Sequence, residues 1–175
     1  MNIFYIDTCP VKAAQMQCDK HVVKMVLESA QMLCAAHHVL EGGAPVPYKL
    51  AHKNHPSTVW ARSGLKQYIW LYRHFKALSD EYTQRYGRVH LAWEKCAFAL
   101  FEPPMGIPDI EWTDPPQCMP ETCKGGDTVS AYQTYYILEK SSFARWTKRP
   151  VPEWFNGGTS NGKRTVLELH GKKVA

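Results

Sequence analysis

No run of apolar residues in this 175-residue chain approaches the ~20 that a membrane-spanning helix needs, so a partner membrane is not expected. The opening residues MNIFYIDTCP lack the basic start and long apolar centre of a secretory signal, which makes the cytoplasm the expected location, or a host's cytoplasm if a phage encodes the chain. Six cysteines are present, Cys9, Cys18, Cys34, Cys96, Cys118 and Cys123, but none forms a CxxC pair. Cys118 and Cys123 sit in a proline-rich stretch with no matching His/Cys pair after them. Reduced thiols are therefore expected, and neither a metal nor a cofactor is. Internal repeats are also missing, and the length fits one domain, expected as a monomer.

What is present is more pointed. Hydrophobic residues make up 45% of the chain, enough for a sizeable core, and 12% of it is aromatic, with nine tyrosines and six tryptophans. The formal charge of +5 favours anionic partners weakly.

The periodicity predicts a mainly α protein. NIFYID reads as a short extended segment. Asp7 or Thr8 is positioned to cap a helix that Pro10 opens and that runs to about Leu40, where EGGAPVP breaks it. A second long helix is expected from Asn54, a candidate cap before Pro56, to Gly87. Trp60, Gly64, Tyr68, Leu71, Phe75, Leu78 and Tyr82 would line its buried face. RVHLAWEKCAFALF suggests a shorter helix. Residues 102–126, dense in proline, form a long loop that Met105, Trp112 and Met119 should pack down. Asp127 caps a third long helix through Trp146, TKRPVPEWF closes the domain in extended form, and residues 156–175 are an extension without helical periodicity.

On the first helix, Gln17, His21, Lys24, Glu28 and Gln31 recur at steps of four, three, four and three, which aligns them along one side. Val22, Val26, Ser29 and Leu33 border the stripe on one flank; Val23, Leu27, Ala30 and Cys34 border it on the other. A solvated face is normally wider. Read plainly, Lys24 and Glu28 are a surface pair worth a few tenths of a kcal/mol. Read sharply, Glu28 lies partly desolvated in a cleft wall as an acid, base or charge stabiliser, with His21 and Lys24 facing an anion. A metal held by His21, Glu28 and His37 or His38 lacks a recognised spacing. A second cluster, AHKNHP, sets His52, Lys53, Asn54 and His55 at a helix start, where backbone N–H groups suit phosphate.

These positions together resemble the phage-type pyrimidine-dimer DNA glycosylases, the excising endonucleases V. In that family an Asp-x-His motif on the first long helix precedes a catalytic glutamate by seven residues, as Asp19-Lys20-His21 and Glu28 do here. YIWLYRHFKALSDEYTQRYG is similar to the family's aromatic helix. EKSSFARWTKRPVPEWF resembles its glutamate-lysine helix followed by Arg-Pro and an aromatic pair. The resemblance spans most of residues 1–155 and implies a compact three-helix domain acting on bases in duplex DNA, with 156–175 outside it. It implies that Glu28 stabilises positive charge on the sugar, and that the Met1 amine and His21 join it as the catalytic group. Lys20, Lys24, Arg62 and Lys66 would add to phosphate contacts with the 52–55 cluster. Lys148, Arg149, Trp154 and Phe155 would flank a flipped or unstacked base. The family's nucleophile is an α-amine, a group whose ordinary pKa of about 8 suits imine formation. The chain departs from the family pattern where Asn2 follows Met1, since a bulky second residue protects the methionine, and where Leu27 replaces an arginine beside the glutamate. NIFYID also reads as packed rather than poised.

Three functions remain open on these residues. The first is a glycosylase. The second is a phage-type base-hypermodification transferase, in which Glu28 deprotonates an amine or amino-acid donor that displaces a leaving group from an activated pyrimidine. The third is a basic DNA-binding protein without catalysis, in which Glu28 only pairs with Lys24.

Overall fold

In the computed structural model, residues 1–156 are described; the rest of the expected C-terminal extension lies outside the described residues. The protein is mainly α, a compact arrangement of three longer helices with a short extended N-terminal segment and a long proline-rich loop. Two 22-residue helices, α2 (Asp19–Leu40) and α4 (Leu65–Tyr86), pack as its central pair. Around them lie α1 (Pro10–Met16), α3 (Pro56–Ala61), α5 (Leu91–Cys96), α6 (Thr128–Glu139) and α7 (Glu153–Asn156). Val22, Val26 and Leu33 of α2 and Leu71, Phe75 and Leu78 of α4 are fully buried in one cluster. The seven residues assigned to the second helix's inner face are all buried.

Both helices expected to run unbroken at the start are divided. Gln17 and Cys18 are extended between α1 and α2, and the Asp19 N–H goes to Arg145 O at 2.8 Å. Between α3 and α4, Gly64 is extended and the next N–H, that of Leu65, goes to Pro108 O at 2.9 Å. A Cβ on Gly64 would come within 2.6 Å of Gln67 and Ile110 side-chain atoms, which leaves room for glycine alone. The caps also differ from expectation. Cys9, not Asp7 or Thr8, precedes α1, and Asp7 Oδ1 accepts from its N–H. His55 rather than Asn54 caps α3, its Nδ1 accepting from Ser57 N. One start and one stop match the reading: Asp127 accepts from Ser130 N at the head of α6, and Gly87 ends α4 at φ 72°. The third long helix ends early, at Glu139, and TKRPVPEWF contains α7 instead of staying extended.

The extended N-terminal segment runs through the middle of the protein. Ile3, Phe4, Tyr5 and Ile6 are at most 5% exposed, and the described residues include no strand to pair with them. Buried backbone groups need partners, so side chains take the place of a ladder. Gln17 Nε2 donates to Ile3 O, Gln133 Nε2 donates to Ile6 O, and Glu28 accepts from Asn2 N. Phe4 is left at φ 55°, a conformation that costs about 1–3 kcal/mol outside glycine.

The proline-rich loop holds one short 3₁₀ turn, Glu121–Cys123. Trp112 packs among Tyr5, Trp60 and Trp70, and Met119 lies against the core, as expected. Met105 does not pack down; it is 79% exposed. The six cysteines are free, and no helix among the described residues is long and apolar enough to cross a membrane.

Candidate active site at the buried N-terminus

Three of the residues singled out in the sequence converge. Glu28 is 7% exposed, and its Oε2 accepts from Asn2 N at 3.0 Å. The α-amine of Met1 lies 4.0 Å from the same oxygen. Lys24 Nζ stands 3.1 Å from the other carboxylate oxygen, its side chain 69% exposed. The stripe on α2 is therefore neither a plain surface strip nor dry throughout: its lysine is in solvent and its glutamate is beneath it. Of the flanking apolar positions on one side, Val23 and Leu27 are exposed while Ala30 and Cys34 are buried, so the first half of that border faces water. Gln17 is off the helix, turned inward to the N-terminal segment.

His21 sits one turn before Lys24, stacked on Phe4 with ring centroids 4.0 Å apart and hydrogen-bonded through Nδ1 to the Tyr136 hydroxyl. Burial, reinforced by Lys140 and Lys24, lowers its pKa to about 3. The ring is neutral near pH 7, so it does not present a cation to phosphate. Asp19, the other half of the motif, takes Arg85 Nη1 at 3.0 Å and the N–H and hydroxyl of Thr147. It fastens the start of α2 to α4 and to the chain after α6.

His55 of the second cluster is half-buried within electrostatic reach of the Met1 amine and Glu28; desolvation first and the amine second lower its pKa. His52, Lys53 and Asn54 are exposed beside it. Arg62 folds back onto Lys53 O and Thr58 O, and Lys66 pairs with Glu111. Next to His55 an open groove of ≈ 650 Å³ is walled by Pro116, Cys118, Met119 and Lys124, a volume within the range of small-ligand sites. Cys118 O also receives Asn2 Nδ2 at 2.8 Å, so this wall touches the N-terminal segment directly.

The C-terminal candidates are placed differently. Arg149 is bound to Glu81 and Gln84, and Lys148 Nζ donates to Gln84 O, all at the C-terminal end of α4. Phe155 is 7% exposed and packed on Trp146, a position in which no base can stack on it. Trp154 is half-buried with its ring edge against Tyr136. The metal alternative does not assemble either: His37 bonds Glu41 and Tyr68, while His38 bonds Tyr48 O.

Four residues of this region escaped the reading of the sequence. Asn2 and Cys118 gave no signal, since their contacts cross 26 and 116 positions. Lys124 lay in the loop without a pattern to mark it. Lys140, which stands over Tyr135 at 4.3 Å and near His21, had a signal in the Glu139-Lys140 pair. With Lys20 over Phe143, it adds positive charge around His21, one turn from the Lys24 that pairs with the buried Glu28 carboxylate.

Such an arrangement can hold a polyanion outside while an amine and a carboxylate act on an electrophilic carbon between them. No curated protein and no solved structure matches the chain. A family model described as pyrimidine dimer DNA glycosylase matches residues 1–95, the stretch that carries Met1, His21, Lys24, Glu28 and His55.

Proposed function

Since the chain belongs to the pyrimidine dimer DNA glycosylase family, we propose that it excises a damaged or modified pyrimidine from duplex DNA with the Met1 α-amine as nucleophile and Glu28 as its carboxylate partner. The unprotonated amine attacks C1′ of the target nucleotide. The N-glycosidic bond breaks, the base leaves with the bond's electron pair, and opening of the sugar ring yields an imine between the amine nitrogen and C1′. Glu28 stabilises the positive charge that develops on the sugar, takes up the proton the amine releases and passes it to O4′ as the C1′–O4′ bond breaks, so that it is charged again beside the protonated imine. The departing base takes its proton from water. Neutral His21 supports the stack under Phe4. Lys20, Lys24, Lys53 and Lys140 neutralise phosphates of a kinked duplex, and His52 adds a polar contact. Unstacking the target costs a few kcal/mol and is cheapest at a damaged site.

The observation that carries this reading is the approach of the Met1 amine to 4.0 Å from a Glu28 that is almost wholly buried. Ordinary surface pairing of Glu28 with Lys24 needs neither the amine nor the burial. Borohydride trapping on ultraviolet-irradiated duplex DNA tests it, with intact-mass analysis of the N-terminus. The expected result is a covalent adduct whose peptide mass maps to Met1, and its loss when two residues are added ahead of Met1. Protein with Met1 in place that neither releases a base nor forms an adduct refutes the assignment.

A further inference from the structure

The N-terminus of a chain is usually its loosest part, yet here the first two residues are held from several sides. Asn2 is 8% exposed. Its Oδ1 accepts from the N–H of Ile3 at 2.8 Å and of Phe4 at 3.3 Å. Its Nδ2 donates to Cys118 O at 2.8 Å, and its backbone N–H donates to Glu28 Oε2 at 3.0 Å. The preceding side chain is fixed too: Met1 is 2% exposed at the side chain, and Thr58 Oγ1 points at its Sδ from 3.6 Å.

We propose that Asn2 is a positioning residue for the reaction, a two-way clamp that holds the first peptide against Glu28 and so aims the Met1 amine. This rests on the reading of that amine as the nucleophile. The chemistry of the side chain is specific. A short amide offers an acceptor and a donor on the same branch; aspartate keeps only the acceptor, and leucine, close to it in size, keeps neither. The acceptor half folds the chain back through Phe4 at φ 55°, which lays the Phe4 ring on His21. The donor half ties the same turn to the proline-rich loop at the wall of the groove. An amine freed of this clamp would swing on one peptide and lose the advantage of a fixed approach to the sugar carbon.

The experiment compares full-length wild type, Asn2→Leu and Asn2→Asp, with Met1 retention checked in each by intact mass. Two quantities are measured: exchange of the residue-2 amide hydrogen without DNA, and the single-turnover rate of borohydride trapping at saturating irradiated duplex. Affinity for the same duplex is the control. For Asn2→Leu the residue-2 amide should exchange at least tenfold faster and trapping should slow at least tenfold, while affinity changes less than threefold. Asn2→Asp, which keeps the turn and loses the bond to Cys118, should fall between. A merely structural role lowers the melting temperature but leaves the rate at saturation unchanged below it. Wild-type exchange or wild-type trapping in both variants overturns the proposal. Absence of trapping in the wild type, with exchange still accelerated in Asn2→Leu, overturns the excision reading while supporting the clamp.

Discussion

Glu28→Gln separates chemistry from folding more cleanly than any other change in this protein. Glutamine keeps the shape and an acceptor for Asn2 N, which sits 3.0 Å from Oε2; only the charge goes. The structural cost is small. The lost pair with Lys24 involves a lysine 69% exposed and is worth a few tenths of a kcal/mol. Exchanging a charged for a neutral acceptor costs about 1 kcal/mol more. Together these lower the melting temperature by roughly 2–6 °C for a chain of this size. The catalytic cost is larger. A unit charge about 4 Å from the amine, at an effective dielectric near 20, is worth about 4 kcal/mol to a cation forming there, close to a thousandfold in rate. Lys24 cancels part of that field, which leaves roughly a hundred- to thousandfold. Single-turnover base release and borohydride trapping at saturating DNA read the rate, and thermal unfolding reads the fold. A Glu28→Gln protein that traps within tenfold of wild type would refute the assignment of charge stabilisation to this carboxylate.

Two further outcomes follow from groups outside the reaction. Burial holds His21 and His74 to pKa values of about 3 and about 4, below the ordinary 6.5. Their neutral forms therefore stabilise the fold fully above pH 6.5, and that stability falls as pH drops from 6.5 toward 4, by about 1.4 kcal/mol per histidine per pH unit. Urea unfolding at pH 7, 6 and 5 checks this, and an unchanged midpoint across that range would contradict it. Arg85, whose side chain is wholly enclosed, donates to Gln15 O, Gln17 O, Asp19 and Glu81. Arg85→Met should cost about 3–5 kcal/mol by leaving buried carboxylates short of a partner; a loss under 1 kcal/mol in chemical denaturation would show that the network relaxes around the gap.

The parts of this fold legible in the sequence were those written locally. The spacing of His21, Lys24 and Glu28, the inner face from Trp60 to Tyr82, the Asp127 cap and the Gly87 stop are all set within one or two helical turns, and each is where periodicity puts it. The break at Gln17–Cys18 was not legible, because no proline or turn pair marks it. The one at Arg62–Gly64 carries the turn pair Ser63-Gly64, whose glycine the periodicity instead places on the helix's buried face. At each, the first N–H of the following helix finds a distant carbonyl, Asp19 N on Arg145 O and Leu65 N on Pro108 O. His55 displaced Asn54 as a cap because an imidazole nitrogen can accept a backbone N–H as a side-chain oxygen does. At the candidate site, Glu28 was visible as an anomaly on an apolar helix. Its neighbours on the N-terminal segment were hidden by distance along the chain, and the segment is both packed and beside the glutamate, two properties the sequence reading had set against each other.

The threading of the first residues through the centre has a bearing on synthesis. Ile6 O is held by Gln133, Met16 O by Trp146 and Asp19 by Thr147, across separations of 127 to 130 residues. A ribosome adding 5–20 residues per second reaches those partners on the order of ten seconds after the opening segment has emerged. Until then that segment is tied only to partners made early, with Ile3 O on Gln17, Asn2 N on Glu28 and Thr8 O on Trp70. The opening segment is thus held by nearer contacts first, and its enclosure is finished only once residues 133–147 arrive.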